Sequence, residues 1–151
     1  MNAPAYTLRQ CLETAACTGC RACADVCPAV RAAGDGELSA AFRLRGLTRV
    51  LRSRAATVSG LAGLGGWLAR LLRARDLSDD EWEHFAGTVF RCTLCGNCEE
   101  VCPAGISLKE LWVSLRRDLT ASSRSPKKIG MIRKNLLASH NVFDEDNEER
   151  A

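Results

Sequence analysis

Hydrophobic residues recur at helical spacing through most of this chain. Leu108, Leu111, Trp112, Leu115 and Leu119 fall at i, i+3, i+4, i+7 and i+11, which predicts an amphipathic helix with one buried stripe. Ser107 and Glu110 read as the capping box that starts it. Ser78 and Glu81 give the same signal ahead of Trp82, Phe85 and Val89, on a helix that leads into a cysteine-rich segment. Thr7 and Gln10 offer a further start. Ser125 and Pro126 read as an N-cap and an N1 proline ahead of Ile129, Ile132 and Leu136. Leu44, Leu47 and Leu51 alternate with Arg45, Arg49 and Arg52, giving a helix with one apolar and one basic face. A further stripe runs through Leu61, Leu64, Leu68 and Leu71. β-branched residues are scarce, and the expected fold class is all-α.

This pattern leaves nine cysteines to account for. Eight of them form a repeat: Cys17, Cys20, Cys23, Cys27, Pro28 and Cys92, Cys95, Cys98, Cys102, Pro103 both spell CxxCxxCxxxCP. Spacing by three lets three thiolates of one loop converge on a small object. A cubane iron-sulfur cluster needs that convergence, because each of its four iron corners takes one thiolate. Gly19 and Gly96, read as the same position of the two loops, are expected to let backbone amides approach cluster sulfide. Pro28 and Pro103 turn the chain after the fourth cysteine. In two-cluster proteins with this run the fourth cysteine ligates the other cluster. The expected sets are therefore Cys17, Cys20, Cys23 and Cys102 for one [4Fe-4S] cluster, and Cys92, Cys95, Cys98 and Cys27 for the second. Zinc is the competing reading, but it favours separated CxxC pairs around one ion. Cys11 lies outside both runs and reads as a buried or free thiol.

Composition narrows the class. The 151 residues are 46% hydrophobic and 26% charged, as in a soluble globular unit. The first ten residues lack the pattern of a secretory leader, and so many cysteines in a reducing cytoplasm point to metal ligands rather than disulfides. The charge-free stretch Ala55 to Ala69 is 15 residues long, short of the roughly 20 that span a bilayer. The formal charge of +3 falls to about −1 once two clusters of about −2 each are counted, so overall basicity gives no case for nucleic acid. Arg43 to Arg75 holds eight arginines and no acid, read as a solvated face or a docking surface for an acidic partner. His84 and His140 have no partner constellation and read as structural. No nucleophile elbow, phosphate loop or dinucleotide fingerprint is present, so the chain has no recognisable catalytic site of its own.

With 64 mostly helical residues from Pro28 to Arg91, the chain differs from the small bacterial ferredoxin, whose two runs sit much closer. It resembles instead the α-helical ferredoxin, the dicluster module of the heterodisulfide reductase C subunit and of succinate dehydrogenase iron-sulfur subunits, over about Leu8 to Leu119. In the succinate dehydrogenase branch one cluster commonly loses a ligand; here all eight cysteines are present, which favours two cubanes and the heterodisulfide reductase side. The segment from Ser139 to Arg150 resembles one that links this module to a cysteine-rich (CCG) catalytic domain in fused heterodisulfide-reductase-like proteins. The resemblance implies an electron-transfer subunit of a hetero-oligomeric, cytoplasmic oxidoreductase. It would relay electrons between a flavin- or Fe-S-bearing donor subunit and a cysteine-rich subunit. The alternatives are a free diffusible ferredoxin, an iron-sulfur subunit of a succinate dehydrogenase or glycolate oxidase-type complex, and a cluster-bearing regulator. Residues 1–124 are expected to form the dicluster domain, and residues 125–151 a helix and acidic tail that act as a docking arm or interdomain link.

Overall fold

The computed structural model describes residues 6–58 and 77–145. The described residues are helical throughout, without a strand: α1 Leu8–Ala15, α2 Ala22–Asp25, α3 Pro28–Ala33, a 3-10 turn Gly36–Leu38, α4 Ala40–Val58, α5 Asp79–Phe90, α6 Asn97–Glu100, α7 Leu108–Ala121 and α8 Lys127–Ser139. The stripe Leu61, Leu64, Leu68 and Leu71 lies outside the described residues, as do Trp67, Arg70, Arg73 and Arg75.

Two of the expected helix starts form as capping boxes. Thr7 Oγ1 accepts the Gln10 N–H at 3.2 Å, and the Thr7 N–H donates to Gln10 Oε1 at 3.0 Å. Ser78 Oγ accepts the Glu81 N–H at 3.3 Å, and Glu81 Oε2 takes the Ser78 N–H at 2.8 Å. Glu81 also meets the Arg49 guanidinium at 2.7 Å; that hydrogen bond, followed by the Ser78 amide, holds its carboxyl down at about 2.

The box expected at Ser107 and Glu110 does not form, because a tertiary contact takes its place. Ser107 Oγ accepts from Arg9 Nη2 at 2.8 Å, and the Ser107 N–H goes to Glu13 Oε2 at 3.3 Å. At α8 the expected register is one residue out. Pro126, at φ −53° and ψ 142°, is the N-cap rather than the first helical residue, and no side chain caps that end. The α8 stripe is also not core: Ile129 and Ile132 are half-buried, and Leu136 is 43% exposed. The chain turns at Ser123, at φ +57°, before α8 begins, and α8 buries no side chain fully.

The core sits between α4, α5 and α7. Leu44, Leu47 and Val50 meet Trp82, Phe85 and Val89, with Ile106, Leu108, Leu111, Trp112, Leu115 and Leu119 closing the third side. Each such side chain contributes roughly 1.5–3 kcal/mol on leaving water. Tyr6 ties the amino-terminal strap to α7 by donating to Asp118 Oδ2 at 3.0 Å, and Arg54 reaches the same oxygen at 2.8 Å. The basic stretch is thus not one solvated face. Arg49 and Arg54 are in ion pairs, and Arg43, at 1% exposure, is among the most buried residues described. Among the described residues no helix is long and apolar enough to cross a membrane.

α4 and α5 cross at a glycine. A Cβ built on Gly46 would stand 2.5 Å from Phe85 Cε2, whereas one on Gly87 of α5 meets nothing within 4 Å. Gly46→Ala is therefore expected to cost about 1–3 kcal/mol by overpacking. Gly87→Ala should add about 0.5–1 kcal/mol by stiffening a helix interior. Thermal melts of the two iron-loaded variants should shift in opposite directions; a shared direction would show that the crossing is not set by this contact.

Candidate metal centre

Each four-cysteine run is built from the same local pieces. The third cysteines, Cys23 and Cys98, ride on the single-turn helices α2 and α6, which pack against one another. The fourth cysteines follow a turn, and Cys27 is the N-cap of α3 with Pro28 at its first position. Cys20 and Cys95, the second of each run, are exposed; the other six are half-buried.

Left-handed backbone recurs in register in both loops. Gly19 and Arg21 have φ +72° and +68°, and Leu94 and Gly96 have φ +56° and +87°. The two glycines are not equivalents of each other: Gly19 matches Leu94, and Arg21 matches Gly96. The conformation repeats although the residue type does not. Left-handed residues between right-handed ones turn successive N–H groups to one side, a concavity suited to an anion or a cluster sulfide. Holding that shape costs a leucine or arginine about 1–2 kcal/mol and a glycine nothing comparable.

Two cavities result, and each takes cysteines from both runs. One is lined by Cys17, Cys20, Cys23 and Cys102, with Ala41, Leu44, Ile106 and Leu108 behind them. The other is lined by Cys92, Cys95, Cys98 and Cys27, with Ala40, Arg43, Lys109 and Trp112. Polar clamps hold the exchange in place. Arg9 and Glu13 of α1, just before the first run, grip Ser107, just after the second, which keeps Cys102 beside Cys17. Arg43 donates from Nε to Thr88 O at 3.1 Å and from Nη2 to Leu38 O, bridging the turn after Cys27 to the helix before Cys92. Cys27 Sγ itself lies 3.8 Å from Leu38 O. Arg116 then fastens the end of α5, donating to the carbonyls of Val89, Phe90 and Cys92.

The donor set suits a multi-iron body. Among the described residues no three His, Cys, Asp or Glu side chains converge closely enough for one metal ion. The cysteines line cavities instead, as a cluster with one thiolate per corner requires. At the second cavity two buried groups are short of partners; the Trp82 indole N–H, which lines neither cavity, is the other unpartnered buried donor among the described residues. The indole N–H of Trp112 has no hydrogen-bond partner in bonding geometry, yet it lies near enough to Cys98 to favour its thiolate. Arg43 is buried with two carbonyls and the Trp112 ring, 5.5 Å away, but no carboxylate. A buried guanidinium without an anion is costly, and a cluster on four thiolates supplies one. Burial pushes the Cys98 thiol up to about 11, and the Trp112 indole and Arg43 pull the other way. Burial raises Cys23 as well, opposed by the Ala41 amide.

Cysteine spacing alone does not single out Arg43, Arg116 or Trp112 as site residues. A signal does exist for Arg43: Ala40, Arg43, Leu44 and Leu47 follow i, i+3, i+4 and i+7, which sets an arginine on the apolar stripe of α4. Cys11 lines neither cavity; it is half-buried on α1 and packs on the core. His84 Nε2 lies 2.7 Å from Glu37 Oε2, and His140 caps the end of α8 at φ +56°.

Residues 13–106 match the 4Fe-4S dicluster domain. The chain belongs to that family. As a dicluster protein it holds two [4Fe-4S] clusters. It is 32% identical over 145 residues to the D subunit of the dihydromethanophenazine:CoB–CoM heterodisulfide reductase of Methanosarcina acetivorans, covering 95% of this chain and 33% of that protein. The same D subunit from Methanosarcina barkeri is likewise 32% identical over 145 residues, with coverage of 95% and 33%. The Hdr-like menaquinol oxidoreductase iron-sulfur subunit 2 of Archaeoglobus fulgidus is 30% identical over 130 residues, 77% of this chain and 22% of that protein. The dicluster chain thus spans a third or less of these relatives' length. No solved structure matches it.

Strain at the loops gives a direct test. Arg21→Gly, at an exposed left-handed position, should stabilise the iron-loaded protein by up to about 1 kcal/mol, and Gly96→Ala should destabilise it by about 1–2 kcal/mol, since neither change alters a ligand or removes core packing. The melting temperatures of the two variants check this, and equal shifts would mean that left-handed backbone is not what the loops demand.

Proposed function

We propose that this chain is an electron-transfer subunit of a heterodisulfide-reductase-like complex, with Cys17, Cys20, Cys23 and Cys102 holding one cluster and Cys92, Cys95, Cys98 and Cys27 the other. The observation that carries the ligand assignment is the pair of cavities, each lined by three cysteines of one run and the fourth of the other. Each cluster, when bound, takes up and gives back one electron at a time. The chain's own residues hold the two sites at a fixed separation through the α2–α6 contact and screen most of each site from water. Cys20 and Cys95 give each site an edge at the surface, where a partner's redox group can approach.

The relatives' names, a heterodisulfide reductase subunit and a menaquinol oxidoreductase iron-sulfur subunit, support a place inside a larger complex rather than a free ferredoxin. A flavin- or Fe-S-bearing subunit would give electrons, and a cysteine-rich subunit or domain would take them, in a reducing cytoplasm. Replacing Cys27 by serine tests the crossed ligation. It should change the spectrum of the cluster on Cys92, Cys95 and Cys98 and leave the other untouched, with total iron near eight per chain before the change. If the cluster on Cys17, Cys20 and Cys23 responds instead, each run closes its own site.

Residues 1–124 serve as the dicluster domain and residues 125–151 as the arm that meets the cysteine-rich partner. Support comes from α8, which buries no side chain and exposes Met131 at 60% and Leu137 at 67%. A tight turn follows it. Asn141 Oδ1 accepts the Phe143 N–H at 3.0 Å, Asn141 Nδ2 donates to Glu145 O at 2.9 Å, and Asn135 Nδ2 donates to Val142 O at 3.0 Å. This turn presents Phe143, 73% exposed, as an aromatic anchor. Deleting residues from Ser125 onward should leave iron content and cluster spectra unchanged while abolishing copurification of the partner. Full assembly and full-rate electron delivery by the truncated chain would reduce the arm to a tail.

A further inference from the structure

The two cluster sites are alike in cysteine number but not in electrostatic surroundings. Behind Cys17, Cys20, Cys23 and Cys102 stand the aliphatic side chains of Ala41, Leu44, Ile106 and Leu108; of the arginines in the wider cavity that Cys17 shares, Arg21, Arg45 and Arg52 are exposed and Arg49 is paired with Glu81. Beside Cys92, Cys95, Cys98 and Cys27 stand Arg43 and Trp112, each 1% exposed. Among the described residues Arg43 bonds to two carbonyls and lies over the Trp112 ring, with no carboxylate among these partners. The Trp112 indole N–H is likewise uncommitted and close to Cys98.

A cation acts more strongly from a buried position than from the surface, because little water or salt intervenes. Adding an electron makes a cluster more negative, so a nearby fixed cation or N–H donor favours its reduced form. Aliphatic surroundings disfavour the added charge. We infer that Arg43, with Trp112 behind it, sets the cluster site of Cys92, Cys95, Cys98 and Cys27 at the higher reduction potential, and so fixes the direction of electron flow within the chain. Electrons enter beside Cys20 and leave beside Cys95, where Lys109 adds positive charge at the rim.

This inference rests on the ligand sets proposed above, and its test separates the two. Anaerobically purified, iron-loaded protein is titrated electrochemically with electron paramagnetic resonance detection, for the native chain, Arg43→Met, Arg43→Lys and Trp112→Phe. Cys95→Ser identifies which signal belongs to the Arg43 side. Native protein without iron and sulfide would sink the cluster reading itself. With clusters present, Arg43→Met should lower the reduction equilibrium constant on the Arg43 side at least tenfold, about 59 mV for one electron, and leave the other wave in place. Arg43→Lys should recover most of that loss, and Trp112→Phe should move the same wave by a smaller step in the same direction. If Arg43→Met cannot hold the cluster on its side, Arg43→Gln, which removes the charge and keeps a polar donor, takes its place with the same expected shift. The inference is overturned if the Arg43 side is the lower-potential site in native protein, or if neither wave moves in the variants that keep both clusters.

Discussion

The structure depends on one arrangement: each cavity is lined by three cysteines of one run and by a fourth from a run more than 60 residues away in the chain. The helices between and around the two runs bring Cys27 to the cavity of Cys92 and Cys102 to that of Cys17. That explains why the polar contacts of greatest sequence separation are where they are. Arg9 and Glu13 reach Ser107, Gln10 Nε2 reaches Ser114 Oγ at 2.9 Å, and Tyr6 reaches Asp118. All four join α1 and its approach to α7, fastening the start of one run to the exit of the other. The close crossing of α4 and α5 at Gly46 does the same for the second pair of ends.

Arginine, fully buried at Arg43 and half-buried at Arg116, is the means by which much of this is held. Arg43 and Arg116 both direct their donors to backbone carbonyls at the end of α5, where unsatisfied oxygens and the helix dipole welcome positive charge. Both also lie over aromatic rings, Trp112 and Phe90, each at 5.5 Å. A lysine could supply the charge but not the planar fork that reaches two carbonyls in different segments at once. The second run is thus suspended from two guanidinium groups, and one of them borders its cavity.

Much of this was legible in the sequence because cysteine spacing and helical periodicity report local requirements. The five-residue stripe from Leu108 to Leu119 is buried as its period demands, and the Ser78 cap forms as read. Failures came where distant segments compete for a local group. Ser107 has the side chain for a cap, but Arg9 and Glu13 arrive from nearly a hundred residues away and occupy it. The arginine-rich stretch looks uniform as a string, yet α4 sends Arg43 inward and Arg49 and Arg54 toward acids on other helices. The left-handed positions were legible only where glycine marks them; Arg21 and Leu94 carry the same conformation with no compositional sign.

The contact between α2 and α6 has a consequence for how charge can be stored. Cys23 and Cys98 lie on these two helices and feel one another's charge. An electron held at one site therefore raises the cost of placing a second at the other, and the apparent potentials belong to the pair. Such negative cooperativity discourages a doubly loaded chain and favours passing each electron on before the next arrives.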